Sequence, residues 1–170
     1  MTIFVWNIRG FNKKGRKSDV QDHIHKLSSS IVALVETKVK LSKVDRLSGC
    51  VPRNWTSCNN FALSAKGRIW VAWDPDVWSC FPHAISEQQI TLFVKNKGGL
   101  EGYLTVVYVI NTHVERMGLW RELKELNFTI HPWLLTGDFN TTRFTNEKVG
   151  GKQLTYQQLS MLTNVIGNCS

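Results

Sequence analysis

Asp138 and Asn140 are the two residues whose types and spacing most directly suggest chemistry. They stand two positions apart, just after the apolar run Trp133-Leu134-Leu135. Residues i and i+2 of a strand point to the same face, so we expect the carboxylate and the carboxamide to project side by side. An anionic acceptor beside a neutral donor suits a hydrolytic water and a phosphate oxygen. The same residue types also form turns that end buried strands, so the pair alone leaves both alternatives open.

Two other polar side chains follow predicted strands in the same way. Asn7 follows the apolar segment from Ile3 to Trp6, and Glu36 follows the continuous apolar run from Ile31 to Val35. Such a run is typical of a strand buried on both faces. Ligands of open α/β sheets bind at the carboxyl ends of strands, so this shared location favours a functional site.

A candidate set of six residues combines a metal ligand, phosphate donors and a group that orients water: Asn7, Glu36, Tyr108, Asn111, Asp138 and Asn140. Glu36 can hold Mg²⁺, a hard cation that keeps most of its waters and takes one or two carboxylates. Asn7 and Asn140 can donate hydrogen bonds to phosphate oxygens or to metal-bound water. Taken alone, Asn7 is equally a turn residue and Glu36 equally the neighbour of a helix cap.

The elements that must position these residues begin with a strand, a helix and a strand. Ser18 is predicted to cap a helix that carries Val20, Ile24 and Leu27 on one face. Residues 38–47 are predicted to form a short helix with a polar face.

Strands dominate the middle of the chain, where they are predicted at residues 61–64, 68–73, 78–81, 91–95 and 103–110. Lys97-Gly98-Gly99 is predicted to be a hairpin turn. Apolar residues at helical spacing predict a helix from Glu115 to Leu126 packed on that sheet, followed by a strand that ends in Asp138. The capping-box pattern from Thr155 to Gln158 predicts a last helix.

The composition is that of one globular domain with a basic surface. The 170 residues carry 21 Lys and Arg against 13 Asp and Glu, a formal charge of +8. This charge favours polyanions such as nucleic acid or an anionic membrane surface. Basic residues near the N-terminus are candidates for phosphate contacts, although a solvated helix start explains them equally well: Arg9, Lys13, Lys14 and Arg16.

The four cysteines include no CxxC pair, which argues against a zinc ribbon and a disulfide framework. The N-terminal residues do not have the pattern of a signal peptide, and no apolar stretch approaches membrane-spanning length. We therefore expect a nuclear or cytoplasmic protein that is not secreted and has no membrane partner.

Four segments occur in the order typical of the endonuclease/exonuclease/phosphatase superfamily: Trp6–Gly10, Val35–Lys38, Val107–Asn111 and Gly137–Asn140. Within that superfamily the chain resembles the endonuclease domain of plant LINE-type non-LTR retrotransposons. Three further segments carry this resemblance: Gly67–Trp70, Arg116–Trp120 and Phe144–Gly151. The resemblance implies a DNase I-like α/β sandwich, with two mixed sheets packed face to face and helices outside.

The resemblance also implies a role for each candidate residue. Glu36, with Asn7 beside it, would hold Mg²⁺, or Mn²⁺ in its place. Asp138 would orient the attacking water, and Asn140 would stabilise the transition state. Tyr108 and Asn111 would contact the scissile phosphate. The implied reaction is metal-assisted nicking of DNA, which leaves a 3′ hydroxyl that primes reverse transcription.

Two departures from the family pattern qualify these implications. Arg9 stands where repair-type members carry an acidic residue, so abasic-site repair is not expected. Relatives continue into strands that supply an aspartate and a Ser-Asp-His motif, whereas this sequence ends at Ser170. The resemblance thus predicts a domain without its last strands, monomeric unless another chain supplies them. Two alternatives are a remnant that binds nucleic acid without cleaving it, and a small-molecule or lipid phosphoesterase.

Overall fold

A computed structural model of the chain describes residues 2–64, 67–110, 113–126, 128 and 130–140. The chain divides into two compact units. The first contains residues 1–108 and 131–138, and the second contains residues 109–130 and 139–170. The predicted capping box at Thr155 and the segment Phe144–Gly151 lie outside the described residues, so these predictions stay predictions.

The first unit begins with a four-stranded mixed sheet. Its strands are β1 (Ile3–Asn7), β2 (Ile31–Val35), β3 (Thr56–Asn59) and β4 (Ile69–Trp73), in the spatial order β1-β2-β4-β3. β1 and β2 are parallel, and the other pairs are antiparallel. Helix α1 (Arg16–Leu27) connects the parallel pair, and a 3-10 turn at Leu41–Lys43 leads into α2 (Asp45–Ser48).

The second sheet contains the remaining strands of the first unit: β5 (Trp78–Ile85), β6 (Gln89–Asn96), β7 (Glu101–Tyr108) and β8 (Trp133–Asp138). They lie side by side in chain order, and only the last pair, β7 and β8, is parallel. Helix α3 (His113–Leu126) belongs to the second unit.

The main core lies between the two sheets. Alternate residues of β2, including Ile31 and Ala33, share one buried cluster with Ile90, Leu92 and Leu104 of the second sheet. The residues between them in β2 face the other way and pack in a second cluster beneath α1. All five residues of β2 are therefore buried, as the continuous apolar run predicts. The expected sandwich of two mixed sheets is confirmed.

The strands at 68–73, 78–81, 91–95 and 103–110 are found with shifted ends, and α3 begins two residues before Glu115. The predicted strand at residues 61–64 is wrong. β3 ends at Asn59, and the Asn59 and Asn60 side chains accept hydrogen bonds from the backbone N–H groups of Phe61 and Ile69. These bonds turn the chain before residue 61.

Two details near the N-terminus also differ from expectation. Helix α1 starts after Gly15, which takes a φ of 85°, so Ser18 lies in the first turn and does not cap it. Val20 and Ile24 are buried, but Leu27 is exposed. The single helix predicted at 38–47 is replaced by the 3-10 turn and α2, because Val39 is buried and Lys40 is extended. No helix in the described part of the chain is long and apolar enough to cross a membrane.

Candidate active site

The carboxyl ends of the two parallel strand pairs meet at the edge of the core. In the first sheet Asn7 pairs with Val35, which places Asn7 beside the residue that follows β2, Glu36. In the second sheet Tyr108 pairs with Asp138. The Asn7 amide Nδ2 donates a hydrogen bond to Asp138 Oδ2 and so joins the two sheets. The structure thus brings two of the residues expected at the strand ends, Asn7 and Asp138, into direct contact.

Asn7 is held in a defined orientation. While its Nδ2 donates to Asp138, its Oδ1 accepts a hydrogen bond of 3.1 Å from the Arg9 backbone N–H. A carboxamide oxygen has two lone pairs, so one acceptor position of Asn7 remains. Asn7 can therefore orient the Asp138 carboxylate and still accept a hydrogen bond or a cation.

Glu36 occupies a strained and largely buried position. Its φ is 56°, a conformation that residues other than glycine rarely adopt, and its side chain is 17% exposed. Backbone strain of this kind persists only where the surrounding structure fixes it, and it clusters at functional sites. Lys38 Nζ lies 2.7 Å from Glu36 Oε1, and this hydrogen bond, together with the carboxylate charge, raises the pKa of Lys38.

The segment that carries Glu36 is fixed by the chain just before β4. The buried Thr37 donates from its backbone N–H to the Arg68 carbonyl and from Oγ1 to the Gly67 carbonyl. Gly67 has a φ of 45°, and a Cβ there would lie 2.1 Å from the Val39 carbonyl oxygen. Glycine is therefore required at 67, which gives a physical reason for part of the Gly67–Trp70 segment.

Arg68 is a site residue that the sequence prediction did not assign. Its guanidinium carbon lies 5.4 Å from the centre of the Tyr108 ring, within the range of a cation–π interaction. Its Nε lies 3.2 Å from Ser64 Oγ and 3.6 Å from Glu87 Oε1. In the sequence, Arg68 is recognisable only as a basic residue directly before a buried strand. The pairing of β4 with β2 places this residue near the segment that carries Glu36.

Gly137 sets the close approach of β8 to β7. Its φ is 132°, and a Cβ would lie 2.0 Å from the Val107 carbonyl oxygen. The glycine thus allows the strand ending in Asp138 to keep its register beside Tyr108.

Asn140 differs from the sequence prediction. β8 ends at Asp138, and Asn140 has a φ of 46°, so the rule that places residues i and i+2 on one strand face does not extend to it. Within the second unit its Nδ2 donates to the Val109 carbonyl at 2.6 Å. Arg116, another residue not assigned a role in advance, donates to the Asn140 and Ile110 carbonyls. Burial lowers the pKa of Arg116. Asn111 lies outside the described residues.

The donor set near Glu36 suits a hard cation. Among the described residues there is no cluster of three or more His, Cys, Asp or Glu side chains that could hold a metal ion. A single carboxylate with an amide oxygen is the kind of ligand set that Mg²⁺ accepts, because it retains several waters. The ammonium group of Lys38 forms an ion pair with Glu36, so the folded chain already places a positive charge beside this carboxylate.

The basic residues near the N-terminus differ in how exposed they are and in whether they already have a partner. Arg9, Lys13 and Lys14 are exposed. Arg16 is partly buried, with its guanidinium 5.1 Å from the centre of the Trp6 ring and 3.7 Å from the Asp19 carboxylate. Arg16 is thus engaged within the first unit.

The first unit contains three cysteines that are buried or partly buried. Burial raises the pKa of Cys50, Cys58 and Cys80 to about 12, so these side chains are neutral thiols. All three are free cysteines.

A family model described as the endonuclease/exonuclease/phosphatase family matches residues 4–155. The chain belongs to this family. Its members are hydrolases that include nucleases and phosphatases. A comparison with curated protein sequences gave no match.

Several solved structures share the fold. The AP endonuclease LMAP from Leishmania major is 11% identical, with a TM-score of 0.75 over 98% of this chain and 66% of that one. The mannosyl-6-phosphatase from Bacteroides thetaiotaomicron is 14% identical, with a TM-score of 0.67 over 95% and 69%. The APE2 catalytic domain from Xenopus laevis is 15% identical, with a TM-score of 0.67 over 96% and 67%. The chain thus spans about two thirds of the length of these structures.

Proposed function

We propose that the chain is a Mg²⁺-dependent endonuclease domain of retrotransposon origin that nicks DNA. The observation that carries this proposal is the hydrogen bond from Asn7 to Asp138, which joins the ends of two parallel strand pairs. It brings the last residues of β1 and β8 together, and Glu36 follows the strand paired with β1. Family membership supports phosphoester hydrolysis as the reaction class.

The residues divide the chemistry between the two strand pairs. Glu36 and Asn7 would hold Mg²⁺, or Mn²⁺. The bound cation would neutralise charge on the phosphate and lower the pKa of a bound water. Asp138, oriented by Asn7, accepts a hydrogen bond from the attacking water and directs its lone pair to phosphorus. As the new bond to phosphorus forms, the bond from phosphorus to the 3′ oxygen breaks, the water gives up its proton and the leaving 3′ oxygen gains one. The Tyr108 hydroxyl donates to a phosphate oxygen, and the family resemblance implies that Asn111 would contact the scissile phosphate and that Asn140 would stabilise the transition state.

DNA is the proposed substrate because of charge and resemblance. The formal charge of +8 attracts a polyanion, and Arg9, Lys13 and Lys14 are exposed on the segment that follows Asn7. The four ordered segments and their flanks resemble plant LINE-type endonuclease domains. These features favour a polymeric phosphodiester over a small phosphate ester.

Nicking of supercoiled plasmid tests the proposal. The wild-type chain should convert supercoiled to open-circular DNA in Mg²⁺ and not in EDTA. Glu36→Ala should lose at least about a hundredfold in rate, because the cation loses its only carboxylate of the proposed ligand pair. Asp22→Ala is the matched control, since Asp22 is an exposed carboxylate on α1, and this variant should nick at the wild-type rate.

Three outcomes would contradict the proposal. Nicking that persists in EDTA would exclude metal dependence. Salt-sensitive DNA binding without cleavage would identify the silent nucleic-acid-binding alternative. Release of phosphate from a monoester such as mannose 6-phosphate, with no plasmid nicking, would identify the small-molecule phosphoesterase.

A further inference from the structure

The outward face of the second sheet carries one aromatic side chain from each of its four strands at the same register. Phe81 of β5 pairs with Phe93 of β6, Phe93 pairs with Tyr103 of β7, and Tyr103 pairs with Trp133 of β8. Directly paired residues lie on one face, and their neighbours in β6 and β7 are buried in the core between the sheets. We call these four residues the aromatic row.

The aromatic row is accessible and geometrically ordered. Phe81 is 58% exposed, and Phe93 and Tyr103 are partly exposed. The rings of Phe93 and Tyr103 meet edge to face, with centroids 5.2 Å apart and an interplanar angle of 63°. His131 lies 5.4 Å from Phe93 in a similar arrangement. Aromatic groups held in this way offer stacking surface at little cost in side-chain entropy.

One lysine shares the face of the aromatic row, and a second lies with it at the β6–β7 hairpin. Lys95 is two residues after Phe93 on β6 and so shares its face. Lys95 and Lys97 line a cavity of about 290 Å³ at the hairpin between β6 and β7, together with Ser79. Glu101 lies 3.2 Å from Lys95 Nζ and 3.7 Å from His131 Nδ1. Its carboxylate therefore partly offsets the positive charge of Lys95.

We propose that the aromatic row and its two lysines bind a single-stranded polynucleotide. Bases stack on the aromatic row, with Phe81 as the most accessible ring, and the backbone phosphates contact Lys95 and Lys97. Stacking aromatics beside cations are how proteins bind single strands without reading sequence. The lysines and the formal charge of +8 favour a polyanion over an apolar protein partner.

This surface is separate from the candidate active site. Tyr103 lies five residues before Tyr108 on β7, which is about 17 Å along a strand. Asp138 pairs with Tyr108, which packs against the core between the sheets, whereas the aromatic row is on the opposite face. Loss of binding at one surface can therefore be measured independently of the other.

The test is fluorescence anisotropy with a labelled 15-nucleotide oligothymidylate and the full chain in EDTA, which prevents metal-dependent cleavage. Phe81→Ala should weaken binding by at least about fivefold, the loss typical of one stacked base. Phe93→Ala, as a separate single variant, should weaken binding more than Phe81→Ala does. Phe81→Tyr should restore binding, because a phenol ring also stacks. Leu27→Ala is the control, since Leu27 is a similarly exposed apolar residue on α1.

Two comparisons sharpen the test. Oligouridylate should bind within about threefold of oligothymidylate because ring stacking does not read the ribose hydroxyl. Binding of a 15-base-pair duplex should be unchanged by Phe81→Ala, since the bases of a duplex stack on each other and not on the aromatic row. Replacing both lysines by glutamine should reduce the slope of log affinity against log salt by about 1.4. Glu101→Gln should strengthen binding by freeing Lys95.

The proposal is overturned if Phe81→Ala and Phe93→Ala bind the oligonucleotide as the wild type does. It is also overturned if Phe81→Ala loses binding and Phe81→Tyr does not regain it, or if Phe81→Ala weakens duplex binding as much as it weakens binding of the single strand. A chain that dimerises in sedimentation and becomes monomeric with Phe81→Ala, without binding the oligonucleotide, would instead identify the aromatic row as an interface between copies.

Discussion

The two parallel strand pairs, β1 with β2 and β7 with β8, differ in which strand carries the carboxylate. Among the described strands, one strand of each pair is internal to its sheet and the other lies at the edge. In the first pair the internal strand β2 leads to the carboxylate, Glu36, and the edge strand β1 ends in an amide, Asn7. In the second pair the edge strand β8 ends in the carboxylate, Asp138, and the internal strand β7 ends in Tyr108.

This difference gives each carboxylate its own partner. Asp138 accepts a hydrogen bond from Asn7, and Glu36 accepts one from Lys38. The amide of Asn7 joins the two sheets in place of a second acid, so like charges are not forced into direct contact at the meeting of the edge strands. Under the proposed function, the first pair would bind the cation and the second would orient the attacking water.

Removal of the Asp138 carboxylate should have the largest effect on this comparison. Asp138→Ala should lower the plasmid nicking rate by at least about a hundredfold, because the group that orients the water is lost. Quantitative gel analysis of nicking measures this effect, with Asp22→Ala as the control. A rate within tenfold of the wild type would mean that the second pair does not handle the water.

Gly137→Ala should disturb the pairing of β7 with β8 without removing any side chain that takes part in the proposed reaction. A Cβ at this position collides with the Val107 backbone, so we expect the unfolding free energy to fall by about 2 kcal/mol in urea titrations. Gly118→Ala is the control, because an added Cβ there contacts nothing within 4 Å and alanine favours the helix by about 0.5–1 kcal/mol. Equal stability of Gly137→Ala and the wild type would show that β8 is not held as closely as described.

Arg68→Leu should have the smallest effect. Loss of the cation over the Tyr108 ring should lower the nicking rate by about two- to fivefold, the value of an exposed cation–π contact. Arg53→Leu, at an exposed position before β3, is the control. In a Tyr108→Leu background the Arg68 substitution should have no further effect, since the partner ring is absent. Additive losses would show that Arg68 acts elsewhere.

The fold was predictable wherever a local pattern agreed with burial. The apolar run of β2 predicted a strand buried on both faces, and all five of its residues are buried. The strand predicted at residues 61–64 was wrong because the Asn60 side chain accepts a hydrogen bond from the backbone N–H of Ile69, nine residues later. Residue composition does not reveal such a hydrogen bond. The start of α1 was misplaced because Gly15 adopts the left-handed region, which a serine-cap pattern ignores.

The site was predictable in its residue types but not in its contacts. Asn7 and Asp138 were identified as residues that follow strands, but their hydrogen bond depends on the meeting of two edge strands 131 residues apart in sequence. Arg68 was missed because its relation to Tyr108 exists only between the two sheets. The expectation that Asn140 projects beside Asp138 rested on strand alternation, and β8 ends at Asp138, so that premise does not hold; the role of Asn140 stays a prediction.

The most direct test of the division between the two pairs is a Mg²⁺ titration of the nicking rate for Glu36→Gln and Asp138→Asn. We predict that Glu36→Gln raises the Mg²⁺ concentration for half-maximal nicking by about tenfold or more. Asp138→Asn should lower the maximal rate while leaving that concentration within about twofold of the wild type. The reverse assignment, or equal shifts in both variants, would contradict the account.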